Sequence, residues 1–354
     1  MNRELVGRWL NRILSDGVFY PDALDVISTV DGWDDWFEKW ADTARTYEAL
    51  ASQAEEEGYR VTASEYHLQA ALAWQYATFL RFDSPNDRYH AERQRVSNFD
   101  LAIRDIRPSV ARHEIAFEGT HIPGYLRLPV DVERPRCVLL IGGVDSTKED
   151  TIELSNLFLD RGLATFAFDG PGQGEYFDQQ PMVPDFERYT SAVIDYLSER
   201  EDIATDNFGA IGRSIGGYYA LRSALTDERL GAVVVWGGTY DLSHFDTMEE
   251  VAQAGFLFAS GIEDHIDARR TVMQYLDLAP LQDLLRQFRG RVLIYHGAHD
   301  QNFPVAQAQR LADSMPDHSR VLEIDPEERH CCHMRFPRTR RLMVDWLTGE
   351  LGKA

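Results

Sequence analysis

From about residue 108 onward the chain alternates short, almost wholly apolar runs with amphipathic helical stretches, and that rhythm leaves few folds open. Val110–Phe117 and Ile122–Leu128 read as an opening antiparallel pair. Cys137–Ile141, Ala164–Phe168, Phe208–Ile211, Ala232–Trp236, Val292–Tyr295 and Val321–Ile324 follow as β-rich runs, with helical sequence between most of them. Strands that are apolar on both faces must be covered on both faces, which predicts a mostly parallel α/β sheet between two layers of helices. Residues 239–285 break the rhythm with helical, mixed-polarity sequence. They are expected to form a cap inserted over the C-terminal edge of the strands, where open α/β sheets bind ligands.

Residues 1–107 have a different character. Trp36, Trp40, Ala44, Tyr47, Leu50 and Ala51 recur near a helical period within 33–57, and Gly58 closes that stretch. A second helical run, about 62–82, carries Ala63, Tyr66, Ala70, Ala73, Trp74 and Ala77. The pair resembles one tetratricopeptide hairpin, but a repeat array needs further copies and none follows. The expected organisation is therefore a helical N-terminal domain, 1–107, contributing to a substrate pocket, and an α/β core, 108–354, with a cap insertion at about 239–285.

A chain of 354 residues buries enough surface to fold without disulfide or metal staples. Its 58 acidic against 36 basic residues leave a net charge of −22, which repels nucleic acid and anionic membrane. No stretch reaches the roughly 18 apolar residues of a membrane span. The N-terminal Met1–Leu10 lacks the continuous apolar centre of a secretion signal. Three cysteines, Cys137, Cys331 and Cys332, are an odd number with two adjacent, which argues against a disulfide framework. A reduced, cytoplasmic protein is expected, acting on a small molecule and requiring no cofactor.

The run at 208–211 leads directly into Gly212-Arg213-Ser214-Ile215-Gly216-Gly217 and then helical sequence. A G-x-S-x-G motif between a strand and a helix is a nucleophile elbow. A serine hydroxyl needs a base, and the base needs a group to orient it. In this arrangement the order along the chain is serine, acid, histidine. Asp300 follows the strand Val292–Tyr295, and His330 follows the strand Val321–Ile324. Ser214, Asp300 and His330 thus fall at successive strand ends as a candidate triad. His333 competes with His330 as the base. The amides of Ile215 and Val144 are the expected oxyanion donors, Val144 lying in the glycine-containing loop after Cys137–Ile141.

Two other readings are weaker. His330-Cys331-Cys332-His333 contains metal-ligand types, but four contiguous residues cannot readily wrap a tetrahedral ion and no second cluster exists. No metal is expected. The loop Asp169-Gly170-Pro171-Gly172-Gln173-Gly174-Glu175 is glycine-rich, but no P-loop lysine and serine follow it.

Taken together, Asp169–Glu175, Gly142–Glu149, Gly212–Gly217 and His330–His333 resemble one branch of the α/β-hydrolases. This branch comprises 2,6-dihydroxypseudooxynicotine hydrolase, FrsA-like esterases and the fungal hydrolases that shorten polyketides. The resemblance covers nearly the whole chain, including the helical region. It implies an α/β-hydrolase fold, Ser214 as nucleophile, Asp300 as orienter and His330 as base. It also implies cleavage of an acyl bond, with carbon–carbon hydrolysis of an acyl-aryl or β-diketone-like compound or ester hydrolysis as the outcomes, and a homodimer. The nicotine-pathway branch carries a substrate-engaging glutamate in the cap. Here Met248 falls near its position, and Asp246 or Glu249 is the expected substitute.

Overall fold

The computed structural model describes residues 9–352, so the N-terminal leader reading rests largely on residues 1–8, outside the described residues. The chain opens with α1 (Leu10–Ser15), α2 (Tyr20–Thr29), α3 (Trp33–Glu56), α4 (Arg60–Thr78) and α5 (Pro85–Ala102). Fully buried Ala44, Ala70, Ala73 and Ala77 let α3 and α4 approach closely, and Trp36, Trp40 and Trp74 fill the space beside them. Trp36 donates its indole N–H to the Tyr76 carbonyl at 2.7 Å, so the buried ring leaves no polar cost. The expected helix 62–82 stops at Thr78, because Leu80 turns into the left-handed region at φ 59°.

The sheet has eight strands: β1 (Val110–Phe117), β2 (Thr120–Arg127), β3 (Arg136–Ile141), β4 (Ala164–Phe168), β5 (Ala204–Arg213), β6 (Leu230–Trp236), β7 (Arg291–Gly297) and β8 (Arg320–Asp325). Their order is β1-β2-β4-β3-β5-β6-β7-β8. Strand β2 pairs antiparallel with both β1 and β4, and every later pairing is parallel. Side chains alternate across the sheet as a two-residue period requires. Val138 and Leu140 face α6 (Ile152–Leu159) and α13 (Phe336–Gly352), in a layer with Phe158, Met343 and Leu347. Leu139 and Ile141 face α7 (Glu187–Ser198), α8 (Ile215–Thr226) and α12 (Val305–Asp313), with Val193, Leu221 and Leu311.

Between β6 and β7 the insertion folds as α9 (Glu250–Ala259), α10 (His265–Tyr275) and α11 (Gln282–Gln287). A bridge between Asp241 and Asp277 draws its base together. The N-terminal helices join the sheet through charge as well as apolar packing. Asp16, at the end of α1, accepts from Arg213 at 3.0 Å, from Arg340 of α13 at 2.7 Å and from Tyr76 of α4 at 2.8 Å. Among the described residues no helix is long and apolar enough to cross a membrane.

Candidate active site

Strand β5 ends at Arg213 and α8 begins at Ile215, leaving Ser214 alone to make the turn. Its backbone sits at φ 58°, ψ −124°, a strained conformation for a residue with a side chain. Glycine is required on either side. A Cβ at Gly212 would lie 1.9 Å from the Gly216 carbonyl oxygen, and one at Gly216 would lie 2.3 Å from that of Ile141. The tight turn lifts the hydroxyl above the sheet edge at the N-terminus of a helix, where the dipole favours negative charge.

The structure brings Ser214, His330 and Asp300 together. Ser214 Oγ donates to His330 Nε2 at 2.9 Å, and His330 Nδ1 donates to Asp300 Oδ2 at 2.7 Å. Asp300 is buried, and its Oδ1 accepts the amides of Asn302 at 2.9 Å and Phe303 at 2.8 Å. Burial opposes its ionisation, but His330 and these amides hold the carboxyl below its ordinary range. Burial likewise opposes a charge on His330. The adjacent Asp300 carboxylate, helped by Cys331, overrides it and raises the imidazole well above 6.5.

The turn carrying His330 is itself constrained. Cys331 and Cys332 lie at φ 55° and 50°, and the Trp236 indole N–H donates to the Cys331 carbonyl at 2.5 Å. The Phe303 ring stands edge-on to the His330 imidazole, their centroids 5.3 Å apart. His333 does not take the place beside Ser214. It packs on Trp236 at 5.5 Å, one turn further on. Among the described residues no group of three or more His, Cys, Asp or Glu could hold a metal ion.

Ser214 opens on a chamber built from three parts of the chain. Trp9, Arg12, Leu80 and Phe82 come from the helical region, Val144, Phe303 and His330 from the core, and Met248, Glu249, Val251 and Phe256 from the cap. The loop bearing Val144 lies against the elbow: a Cβ at Gly143 would be 3.3 Å from Ser214 Cβ. Ile215 is the first residue of α8, where an amide has no intrahelical acceptor. The chamber is small, about 30 Å³. An outer vestibule of about 370 Å³ shares Trp9, Glu249, Asn302, His330 and His333 with it.

Of the two acidic cap residues expected near substrate, Glu249 lines both spaces. Asp246 does not, and this corrects the expectation. The one-turn helix Phe245–Thr247 buries Phe245, which leaves Asp246 on the solvent side, paired to Arg269 at 2.8 Å and 2.5 Å. Met248 is buried in the chamber wall. Sequence reasoning missed Arg12, Phe82 and Phe303. The first two lie far from any motif. Phe303 follows an aspartate whose side chain accepts amides two and three residues on, and that turn chemistry was open to inspection.

An eight-stranded sheet of this order, with a serine elbow, a histidine and an aspartate meeting at its C-terminal edge, defines an α/β-hydrolase-fold serine hydrolase. The chain belongs to the prolyl oligopeptidase family, which its residues 155–354 match. It is 36% identical over 343 residues to 2,6-dihydropseudooxynicotine hydrolase of Paenarthrobacter nicotinovorans, covering 96% of this chain and 91% of that protein. The crystal structure of the 2,6-dihydroxy-pseudo-oxynicotine hydrolase superposes with a TM-score of 0.89 at 35% identity, over 96% of this chain and 95% of that one. The 20-hydroxy-prefusarin hydrolase FUS2 of Gibberella moniliformis is 33% identical over 58% of this chain, which spans about half of that relative's length. AbyA5 shares the fold, with a TM-score of 0.74 at 22% identity over 91% of this chain and 90% of that one.

Proposed function

We propose that this enzyme hydrolyses a carbon–carbon bond between a carbonyl and an aromatic or enolisable carbon in a small molecule. The observation that carries this reading is the Ser214–His330–Asp300 relay at the floor of a chamber walled by both the cap and the N-terminal helices. Its relatives named as hydrolases of a pseudooxynicotine and of a prefusarin support it.

In the proposed cycle His330 Nε2 accepts the Ser214 proton as Oγ bonds to the carbonyl carbon. The oxyanion is held by the amides of Ile215 and Val144. Collapse breaks the carbon–carbon bond, and its electron pair leaves with the departing carbon, which takes the proton from the His330 imidazolium. Water then attacks the acyl-serine, its proton passing to His330; the acyl–Oγ bond breaks, Ser214 Oγ takes that proton back from His330, and a carboxylic acid is released. Glu249 contacts the substrate from the cap. The small closed chamber excludes bulk water, which keeps the departing carbanion close to its proton donor.

The three cysteines are free and buried, which suits the reducing cytoplasm in which we place the protein. We read it as a homodimer. The exposed Phe19, Tyr20 and Leu24 form the surface a second copy would cover, and sedimentation velocity tests it. The function is tested by offering aryl ketones and β-diketones beside aryl esters in oxygen-18 water, with mass analysis of both fragments. Cleavage of ketones with label in the released acid is expected, and is lost in Ser214→Ala. Turnover of esters alone would overturn the carbon–carbon assignment. Label missing from the acid would overturn hydrolysis itself.

A further inference from the structure

Strand β7 ends in His296 and Gly297, just before the loop that carries Asp300. None of the steps above uses His296, yet its ring is completely buried, and a buried polar group is costly unless it is hydrogen-bonded. Its Nε2 lies 2.7 Å from the Phe303 carbonyl oxygen and 3.5 Å from Asp300 Oδ2. A carbonyl only accepts, so Nε2 carries the proton. Nδ1 is then the bare nitrogen, and it is the one without a hydrogen-bond partner among the described residues. Burial lowers the ring's proton affinity below 6.5 and outweighs the pull of Asp300 and of the Phe303 carbonyl. His296 is therefore a neutral donor whose N–H is directed at the 300–303 turn.

That turn serves both partners of Ser214. The Phe303 amide donates to Asp300 Oδ1 at 2.8 Å, and the Phe303 ring stands edge-on to the His330 imidazole at 5.3 Å. The residue whose carbonyl His296 holds thus touches the acid and the base at once. The carboxylate oxygen nearest the same N–H, Asp300 Oδ2, is the one that accepts from His330 Nδ1 at 2.7 Å.

Resting on the hydrolase reading above, we infer that His296 is a positioning residue, which holds the Phe303 carbonyl and so fixes the 300–303 turn where Asp300 Oδ2 meets His330 Nδ1. It moves no proton and does not line the chamber. Its work is done through Asp300, whose placement sets the tautomer and the charge of the base.

Three variants test this. His296→Gln keeps an N–H donor at about the reach of Nε2, His296→Asn has the same amide one carbon shorter, and His296→Leu has no donor. With an activated ester, kcat per fluorophosphonate-titrated site should fall about 10²-fold in Asn and Leu, the cost of a misplacement of about 1 Å, with KM little changed. The acid limb of kcat/KM should move to lower pH, because burial governs His330 once the carboxylate draws away. The other ionisable groups around this pair are Cys331, Cys332 and His333 on the His330 turn, Asp145 after β3, His244 and Glu249 at the cap, and Arg12 and Arg213. All of them remain in every variant, so a moving limb reports the Asp300–His330 contact. His296→Gln should restore rate and limb in large part. Loss of stability alone would lower the titrated fraction and leave the limb in place. The far-downfield proton resonance of His330 Nδ1–H, read by NMR without turnover, should weaken in Asn and Leu and persist in Gln. If His296→Leu does not fold, the comparison of Gln with Asn decides. An unchanged limb and resonance in His296→Asn, or equal changes in Gln and Asn, would overturn the inference. Wild type that neither turns over the ester nor is labelled would overturn the hydrolase reading instead, and the resonance would still decide on His296.

Discussion

At His330 two influences act in opposite directions, and the direction of the result makes a prediction. Desolvation lowers the imidazole's proton affinity, while the Asp300 carboxylate at 2.7 Å raises it, and the carboxylate prevails. The base form is the neutral ring, so kcat/KM falls as pH drops through the His330 pKa. The acid limb of the profile should therefore lie above 6.5. Asp300→Asn removes the anion but keeps the shape, so burial then governs and the limb moves to lower pH. The rate should also fall about 10³- to 10⁴-fold, because the amide no longer selects the correct tautomer or stabilises the imidazolium. A pH series with an activated ester reads both effects; a limb that stays in place would mean Asp300 does not set the charge of His330.

Among the elements, α5 shows how a helix can be buried through charge. Its inward face carries Glu92, Arg95 and Asn98 together with Ala91, Phe99 and Ala102. Arg95 reaches Glu149 at 3.2 Å and Glu92 at 3.5 Å. Burial, only partly offset by Arg95 and Arg88, pushes the Glu92 carboxyl up from 4.5 to about 7. A folded-state pKa above the unfolded one means the native protein binds this proton more tightly. The resulting penalty on stability is absent below about 4.5, grows through the interval and is complete above about 7. Glu92→Gln should remove it, raising stability at pH 8 by up to about 3 kcal/mol while leaving that at pH 4 nearly unchanged. Urea unfolding at the two pH values measures the difference. The same polar face explains why α5 was not legible in the sequence: a periodicity built on apolar residues misses a helix whose buried side includes Glu, Arg and Asn. By contrast Ala164–Phe168 was legible to the residue as an apolar run buried along its whole length, and Val110–Phe117, an edge strand with only Val110 and Ile115 buried, was legible as the first half of an antiparallel pair. Strand β5 begins four residues earlier than its apolar run, at Ala204, which pairs with Arg136 of β3 before a register shift interrupts the ladder and pairing resumes between Val138 and Gly209. The elbow and the order of its partners were legible because motif and strand ends coincide. Arg12 and Phe82 were not, because only tertiary packing brings them to Ser214.

On the scale of the whole molecule, a buried lattice of charges centred on Asp16 joins the helical region to the sheet. Asp16 is its centre: burial would raise its carboxyl, yet Arg213, Arg340 and Arg12 hold it far below the ordinary range. Arg213 immediately precedes the nucleophile, so the lattice couples the first described helix to the strained elbow. Removing one member of a buried ionic cluster leaves the others desolvated and unpaired, a loss of about 3–5 kcal/mol. Asp16→Ala is expected to lose that much in urea unfolding, and fluorophosphonate labelling of Ser214 should slow with it, since the Arg213 guanidinium loses one of its two carboxylate partners, Asp16 and Asp150. Because the cluster is shielded from solvent, 1 M salt screens surface charges strongly but should leave this loss nearly unchanged. A loss under about 1 kcal/mol, or one erased by salt, would show that Asp16 behaves as a surface pair does, and that this cluster is not what holds the helices over the active site.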